Sequence, residues 1–80
     1  MTHRLQPGSW TEISDTGIIA QSKGPGTLFL YPGDTDPDSY VDAIEIKDCT
    51  EPRQFAAPTT GKWRASTLTR TLTLVTFEVV

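Results

Sequence analysis

The strongest structural signal is the C-terminal stretch LTRTLTLVTFEVV, residues 68–80. Threonine and valine favour extended backbone, and the side chains of a strand point alternately to its two faces. One predicted face carries Thr71, Thr73, Val75, Phe77 and Val79, and the other carries Arg70, Leu72, Leu74, Thr76 and Glu78. Because both faces hold apolar side chains, we expect both to be covered, either inside one sandwich or by a second subunit.

Shorter stretches of the same kind precede this one. No segment shows the apolar spacing of a helix, and Gly, Pro and Asp clusters separate the strand-like runs. The spacing predicts strands over residues 9–14, 18–22, 27–31, 40–47, 62–65 and 68–80, with a long loop over 48–62. Short strands between turns predict an all-β fold, a small β-sandwich or jelly-roll-like barrel of antiparallel strands.

The chain is short enough for its stability to be an issue. It has 80 residues, of which 36% are hydrophobic, and such a chain hides only about 60–65% of its unfolded surface. A disulfide is excluded within the chain because Cys49 is the single cysteine, and Cys49 with the single histidine, His3, cannot form a zinc site. Oligomerisation is the remaining way to stabilise so short a chain. We predict no cofactor.

Charge and hydropathy limit the partners and the location. The formal net charge is −3 and the pI is near 4.8, which argues against general nucleic-acid binding. No apolar run has the length of a signal peptide or a membrane span. We therefore expect a protein made in the cytoplasm whose partners are proteins or glycans.

Residues 1–8 show no periodicity and end in Pro7 and Gly8. This pattern predicts an extended N-terminal arm outside the core, followed by a single β domain over residues 9–80. Such an arm, with Arg4 and Leu5, is a candidate contact with a neighbouring subunit.

The segment DTDPDSYVDAIE, residues 34–45, matches much of a calcium-binding loop. Hard oxygen ligands of the kind that Ca²⁺ requires fall at Asp34, Asp36, Asp38, Asp42 and Glu45. Two features oppose this interpretation: Ser39 stands where the turn needs glycine, and Pro37 restricts the backbone. The alternative is a solvated acidic turn.

The residues offer little for catalysis. A Ser-His-Asp arrangement would have to use His3, which lies before any predicted strand, and no pair of carboxylates is marked as coupled. We therefore predict that the protein is not an enzyme. Four aromatic residues could stack on sugar rings or anchor the core: Trp10, Tyr31, Tyr40 and Trp63.

The order of several segments resembles small virion proteins of tailed bacteriophages, namely head decoration (cement) proteins and the β modules at the base of head fibres. The similarity rests on WTEI at 10–13, GIIAQ at 17–21, GTLFL at 26–30 and GKWRA at 61–65, before the threonine-rich last strand. It is a similarity of pattern and includes no diagnostic motif. It implies a β-sandwich or jelly roll that assembles, often as a trimer, on the capsid exterior.

Together these observations predict a non-enzymatic virion structural protein that binds across neighbouring capsid subunits and stabilises a bacteriophage capsid. The expected partners are further copies of the chain, with a trimer favoured, and the major capsid protein or another virion protein. Residues predicted to bury core or subunit-contact surface are Arg4, Leu5, Trp10, Trp63, Leu72, Leu74 and Phe77. The alternative is a carbohydrate- or receptor-binding β module, assisted by calcium.

Overall fold

The computed structural model describes residues 1–79, which form eight β-strands and one turn of 3₁₀ helix. The strands are β1 (Thr2–Leu5), β2 (Thr11–Ser14), β3 (Gly17–Ser22), β4 (Thr27–Gly33), β5 (Ile44–Lys47), β6 (Arg53–Phe55), β7 (Lys62–Ser66) and β8 (Leu72–Val79). The 3₁₀ turn spans Tyr40–Asp42. Within these residues no helix is long and apolar enough to cross a membrane.

The strands form two four-stranded antiparallel sheets. Sheet A has the order β1-β8-β3-β6, and sheet B has the order β2-β7-β4-β5. The first half of the chain therefore pairs with the second half, β1 with β8, β2 with β7, β3 with β6 and β4 with β5, as in a long hairpin wound around itself. This is the topology of a jelly roll, and the prediction of an all-β sandwich or jelly roll is confirmed.

The hydrophobic core lies between the sheets. Alternating residues of each strand point inwards, because a strand presents successive side chains to opposite faces. The core comprises Leu5, Ile18, Ala20, Leu28, Leu30, Ile46, Cys49, Trp63, Ala65, Leu72 and Leu74, with Ile13 and Phe55 packed against it. Both sheets contribute, so neither is stable without the other.

The N-terminal residues correct one prediction. Residues 1–8 do not form an arm outside the core, because Thr2–Leu5 is the edge strand of sheet A and Leu5 is fully buried. The four residues are too few, and too mixed in character, for alternation to be visible. The backbone hydrogen bonds of β1 come from its pairing with β8, which the local sequence does not indicate.

Other boundaries also shift. The predicted long loop over residues 48–62 contains a short edge strand, Arg53–Phe55, and the predicted strand over residues 40–47 begins only at Ile44. The last strand starts at Leu72 rather than at residue 68, and Val80 lies outside the described residues.

Candidate functional site

No segment among residues 1–79 covers the outer face of sheet A. Leu72, Leu74 and Thr76 of β8 are buried against the core, so the alternate residues of this central strand point outwards. We define the sheet A face as the outward positions of β1, β8 and β3, which are Thr2, Arg4, Thr73, Val75, Phe77, Val79, Gly17, Ile19 and Gln21.

An apolar patch lies at the centre of the sheet A face. Phe77 pairs with Ile19 across the two strands, and Val75 pairs with Gln21 one step along. Phe77 is 64% exposed and Ile19 is 37% exposed. Buried cross-strand pairs stabilise sheets, but here the contact leaves much of both side chains in water. The last strand is thus apolar on both faces, as the sequence indicates, and only its inner face is covered within residues 1–79.

A shallow pocket indents this patch. It has a volume of about 60 Å³ and is lined by Ile19, Ala20, Gln21, Pro52, Val75 and Phe77. Sites for small molecules usually enclose about 300–1,000 Å³. The pocket therefore suits a single side chain of a few carbon atoms and is too small for a sugar or a cofactor.

The sheet A face also differs in charge from the rest of the protein. Its outward positions include Arg4 but no aspartate or glutamate, although the chain has ten acidic residues. Glu78 of β8 points to the opposite side, where its Oε1 accepts a hydrogen bond from Ser14 Oγ at 3.0 Å. The face is thus apolar and mildly basic.

The outer face of sheet B, in contrast, is covered. The connection between β4 and β5, residues 34–43, folds back over it, and we refer to this segment as the strap. Tyr40 of the strap meets Phe29 edge to face, with ring centroids 4.9 Å apart, and lies 5.1 Å from the ring of Trp10. Phe29 is only 6% exposed although it points away from the core.

Arg64 holds the start of the strap. Its Nε donates to the Gly33 carbonyl oxygen at 3.0 Å and its Nη2 donates to that of Asp34 at 2.6 Å. The guanidinium also forms ion pairs with Asp36 at 3.2 Å and Glu12 at 3.3 Å. Arg64 is 9% exposed, so these bonds satisfy a nearly buried charge.

Tyr40 fixes the end of the strap. Its hydroxyl lies 2.9 Å from Ser66 Oγ of β7, and Ser39 caps the 3₁₀ turn by accepting a hydrogen bond from the Val41 amide at 3.2 Å. With Tyr40 turned inwards, Val41 is left 90% exposed on the outside of the strap. A valine in this position contributes nothing to the core of its own chain.

The structure separates the predicted contact residues into two groups. Leu5, Trp63, Leu72 and Leu74 are at most 7% exposed, so of the two predicted roles they have the core one and do not form subunit-contact surface. They point inwards because the jelly roll has two sheets, each needing one apolar face. Trp10 is half-buried beside Tyr31 and Tyr40, while Arg4 and Phe77 lie on the sheet A face.

The five carboxylates of the calcium hypothesis do not converge. Asp36 is paired with Arg64, and Glu45 lies on strand β5 beyond the 3₁₀ turn. Among residues 1–79, no three His, Cys, Asp or Glu side chains are grouped as metal ligands would be. The geometry favours the alternative, an acidic turn with a structural role.

His3 lies on β1 beside the core, with Nε2 3.1 Å from Thr76 Oγ1. Partial burial, and to a lesser extent the positive charge of the Met1 amine, lowers the pKa of His3 below its usual value of 6.5. Its polar neighbours are a threonine and the N-terminus, which do not form the nucleophile and orienting carboxylate of a catalytic triad.

Three residues of interest were missed from the sequence. Ile19 lies on the sheet A face, Arg64 holds the strap, and Val41 protrudes from it. An arginine between the apolar residues of a strand, as in Trp63-Arg64-Ala65, is a signal that could have indicated a buried cation with acidic partners. For Ile19 and Val41 no local signal exists, because their exposure depends on which segments fold over each sheet.

We compared the chain with protein-family models, curated proteins and solved structures. None matches. Function has to be inferred from the surface of the molecule itself, since capsid, lectin and cupin domains of different function share the jelly roll.

Proposed function

We propose that this protein is a non-enzymatic structural subunit of a virion that decorates and stabilises a bacteriophage capsid by binding across neighbouring capsid subunits. The observation that carries the proposal is the uncovered sheet A face, with Phe77 64% exposed on a central strand. Contiguous exposed apolar surface on a small protein usually marks a protein–protein contact.

The rest of the molecule supports a binding role more than a catalytic one. The pocket of about 60 Å³ is too small for most substrates, and the ring of His3 is hydrogen-bonded to the hydroxyl of Thr76. Jelly rolls are common in viral capsid domains, which is compatible with the resemblance to decoration proteins. Under this proposal the partners are further copies of the chain, as a trimer, and the major capsid protein or another virion protein on the capsid exterior.

Cosedimentation with capsids of the encoding phage, stripped of this protein, tests the proposal. The wild-type chain is expected to pellet with the capsids and raise their melting temperature. Phe77→Asp should reduce binding at least tenfold, because it places a charge in the centre of the sheet A face. Leu68→Asp, at a residue 47% exposed in the β7–β8 connection, is the matched control and should bind as wild type. Equal binding by both variants, or none by the wild type, would contradict the proposal.

A second candidate is a carbohydrate- or receptor-binding module. It is favoured by the aromatic cluster beside the strap, where Trp10 contacts Tyr31 at 6.4 Å and Tyr40 at 5.1 Å between ring centroids. Half-exposed rings next to carboxylates are what a sugar-binding surface uses. Trp63 takes no part, because its ring is in the core and its Nε1 donates to the Ala56 carbonyl oxygen at 2.8 Å.

Tryptophan fluorescence separates the two candidates. Under the module hypothesis, a glycan panel should shift the emission of Trp10, and Trp10→Phe should abolish the shift while Trp63 keeps the fold intact. Under the virion proposal the spectrum should not respond to any glycan, with or without calcium.

A further inference from the structure

We propose that the occupant of the pocket on the sheet A face is Val41 from the strap of a second copy of this chain, in a head-to-tail contact. The inference rests on the proposed function and extends it by naming the partner of one surface. Its starting point is that the chain exposes both halves of a complementary pair, a small apolar pocket and a small apolar side chain held outside the fold.

The sizes of the two halves agree. The pocket of about 60 Å³ holds roughly two water volumes, which is the scale of a short aliphatic side chain. Val41 is the most exposed large hydrophobic residue among those described, at 90%. Val41 lies in a fixed turn, because Ser39 caps the turn and Tyr40 is hydrogen-bonded to Ser66. Little conformational entropy is therefore lost when Val41 inserts.

The strap and the strand positions around the pocket carry opposite charges, while Glu51 and Arg53, which flank Pro52 of the pocket, offset each other. The strap contains four aspartates and no lysine or arginine, and Asp42 follows Val41 directly. The strand positions of the sheet A face contain Arg4 and no carboxylate. Arg4 pairs with Thr73, one outward step along β8 from Val75 of the pocket, so it lies within reach of an acidic residue beside an inserted valine.

The geometry excludes pairing within one molecule. The pocket belongs to the outer face of sheet A, while the strap covers the outer face of sheet B, on the other side of the core. A contact between two sheet A faces would instead leave Val41 in water. The head-to-tail contact joins unlike surfaces, so it forms a closed ring if the rotation between copies closes, and an open stack if it does not.

Light scattering behind size exclusion, over a range of protein concentrations, tests this contact. The wild-type chain is expected to associate with increasing concentration. Val41→Asp removes the inserted side chain and Phe77→Asp blocks the pocket, so each should weaken self-association at least tenfold. Leu68→Asp, the matched exposed control, should associate as wild type. Circular dichroism is used to check that each variant folds. If Phe77→Asp does not fold, Phe77→Thr replaces it, because threonine favours strands.

A mixing experiment tests the head-to-tail arrangement directly. Val41→Asp retains an intact pocket and Phe77→Asp retains an intact valine, so an equimolar mixture restores one contact and should yield a dimer containing one copy of each variant. A monomeric mixture would overturn the inference, as would undiminished association of Val41→Asp, which would indicate that sheet A faces pair with each other. A wild-type chain that stays monomeric at all concentrations would also overturn it.

The outcome is independent of the capsid test. A monomeric chain that still binds capsids would refute the head-to-tail contact and the proposed trimer, and would leave the proposed capsid binding standing. A chain that self-associates through Val41 but never binds capsids would support the head-to-tail contact and refute the proposed function.

Discussion

The outer faces of the two sheets both carry a phenylalanine, but the two side chains differ in exposure. Phe29 on sheet B and Phe77 on sheet A both point away from the core, yet Phe29 is 6% exposed and Phe77 is 64% exposed. The strap and Trp10 cover Phe29, whereas no segment among residues 1–79 covers Phe77. An outward phenylalanine is thus structural on one sheet and available for binding on the other.

The difference arises from the lengths and composition of the connections. The β4–β5 connection is long enough to fold back across sheet B, and Arg64 and Tyr40 bind its two ends. Each of the other connections between strands has six residues or fewer. A long polar loop covers apolar surface only where buried donors and acceptors hold it, and the arginine at an outward position of sheet A, Arg4, is exposed where Arg64 is buried.

Replacing each phenylalanine by alanine should give the largest contrast. Phe29→Ala removes a buried ring and should lower the free energy of unfolding by about 3–4 kcal/mol. Phe77→Ala should cost under about 1 kcal/mol, because its ring already meets water. Urea denaturation of both variants measures the difference. Similar losses for the two would mean that the sheet A face is covered in solution.

Removing the Arg64 contacts that hold the strap should have the next largest effect on stability. Arg64→Met retains the aliphatic stem but leaves two carbonyl oxygens and the Asp36 carboxylate without their donor, and Glu12 with only Lys62, so we expect a loss of about 2–3 kcal/mol. Lys62→Met is the control, since Lys62 forms an exposed ion pair with Glu12 at 3.5 Å and such pairs contribute about 0–1 kcal/mol. Hydrogen exchange of the strap amides should rise in Arg64→Met only. If the two variants were equally stable, Arg64 would not be what holds the strap.

A smaller effect is expected at the other end of the strap. Tyr40→Phe removes the hydroxyl that lies 2.9 Å from Ser66 Oγ and should cost about 1 kcal/mol. Val41→Ser changes the adjacent exposed residue and should leave the melting temperature nearly unchanged. The two melting temperatures, measured side by side, show whether the inward and outward residues of this turn have separate roles.

The smallest effect concerns the edge of sheet A. Because burial lowers the pKa of His3 in the folded state, the unfolded chain binds the proton more readily, and stability should fall as the pH drops below about 6.5. His3→Gln should remove this part of the pH dependence. Melting temperatures of both proteins at pH 7.5 and pH 5 provide the measurement, and an identical change in the two would exclude a contribution from His3.

The sequence by itself determined the all-β class and most of the strands. Runs of strand-favouring residues between turn signals mark β3, β4, β7 and β8, and strand propensity and turn composition are local properties of the chain. The exclusion of a disulfide and of a zinc site followed equally directly, since one cysteine and one histidine cannot supply the required partners. The two-sided apolar pattern of β8 is present in the structure, where only the inner face is covered within residues 1–79, and a second subunit over the outer face stays a prediction.

Only the tertiary structure decided which apolar residues are core and which are surface. Leu5 is buried because β1 pairs with β8, and Ile19 is exposed because no segment among residues 1–79 covers the outer face of sheet A. No local sequence signal distinguishes these two outcomes. The same holds for Arg64, which is stabilised by groups at positions 12, 33, 34 and 36. Burial depends on contacts between segments distant in sequence, and those contacts are set by strand pairing and by the path of one connection.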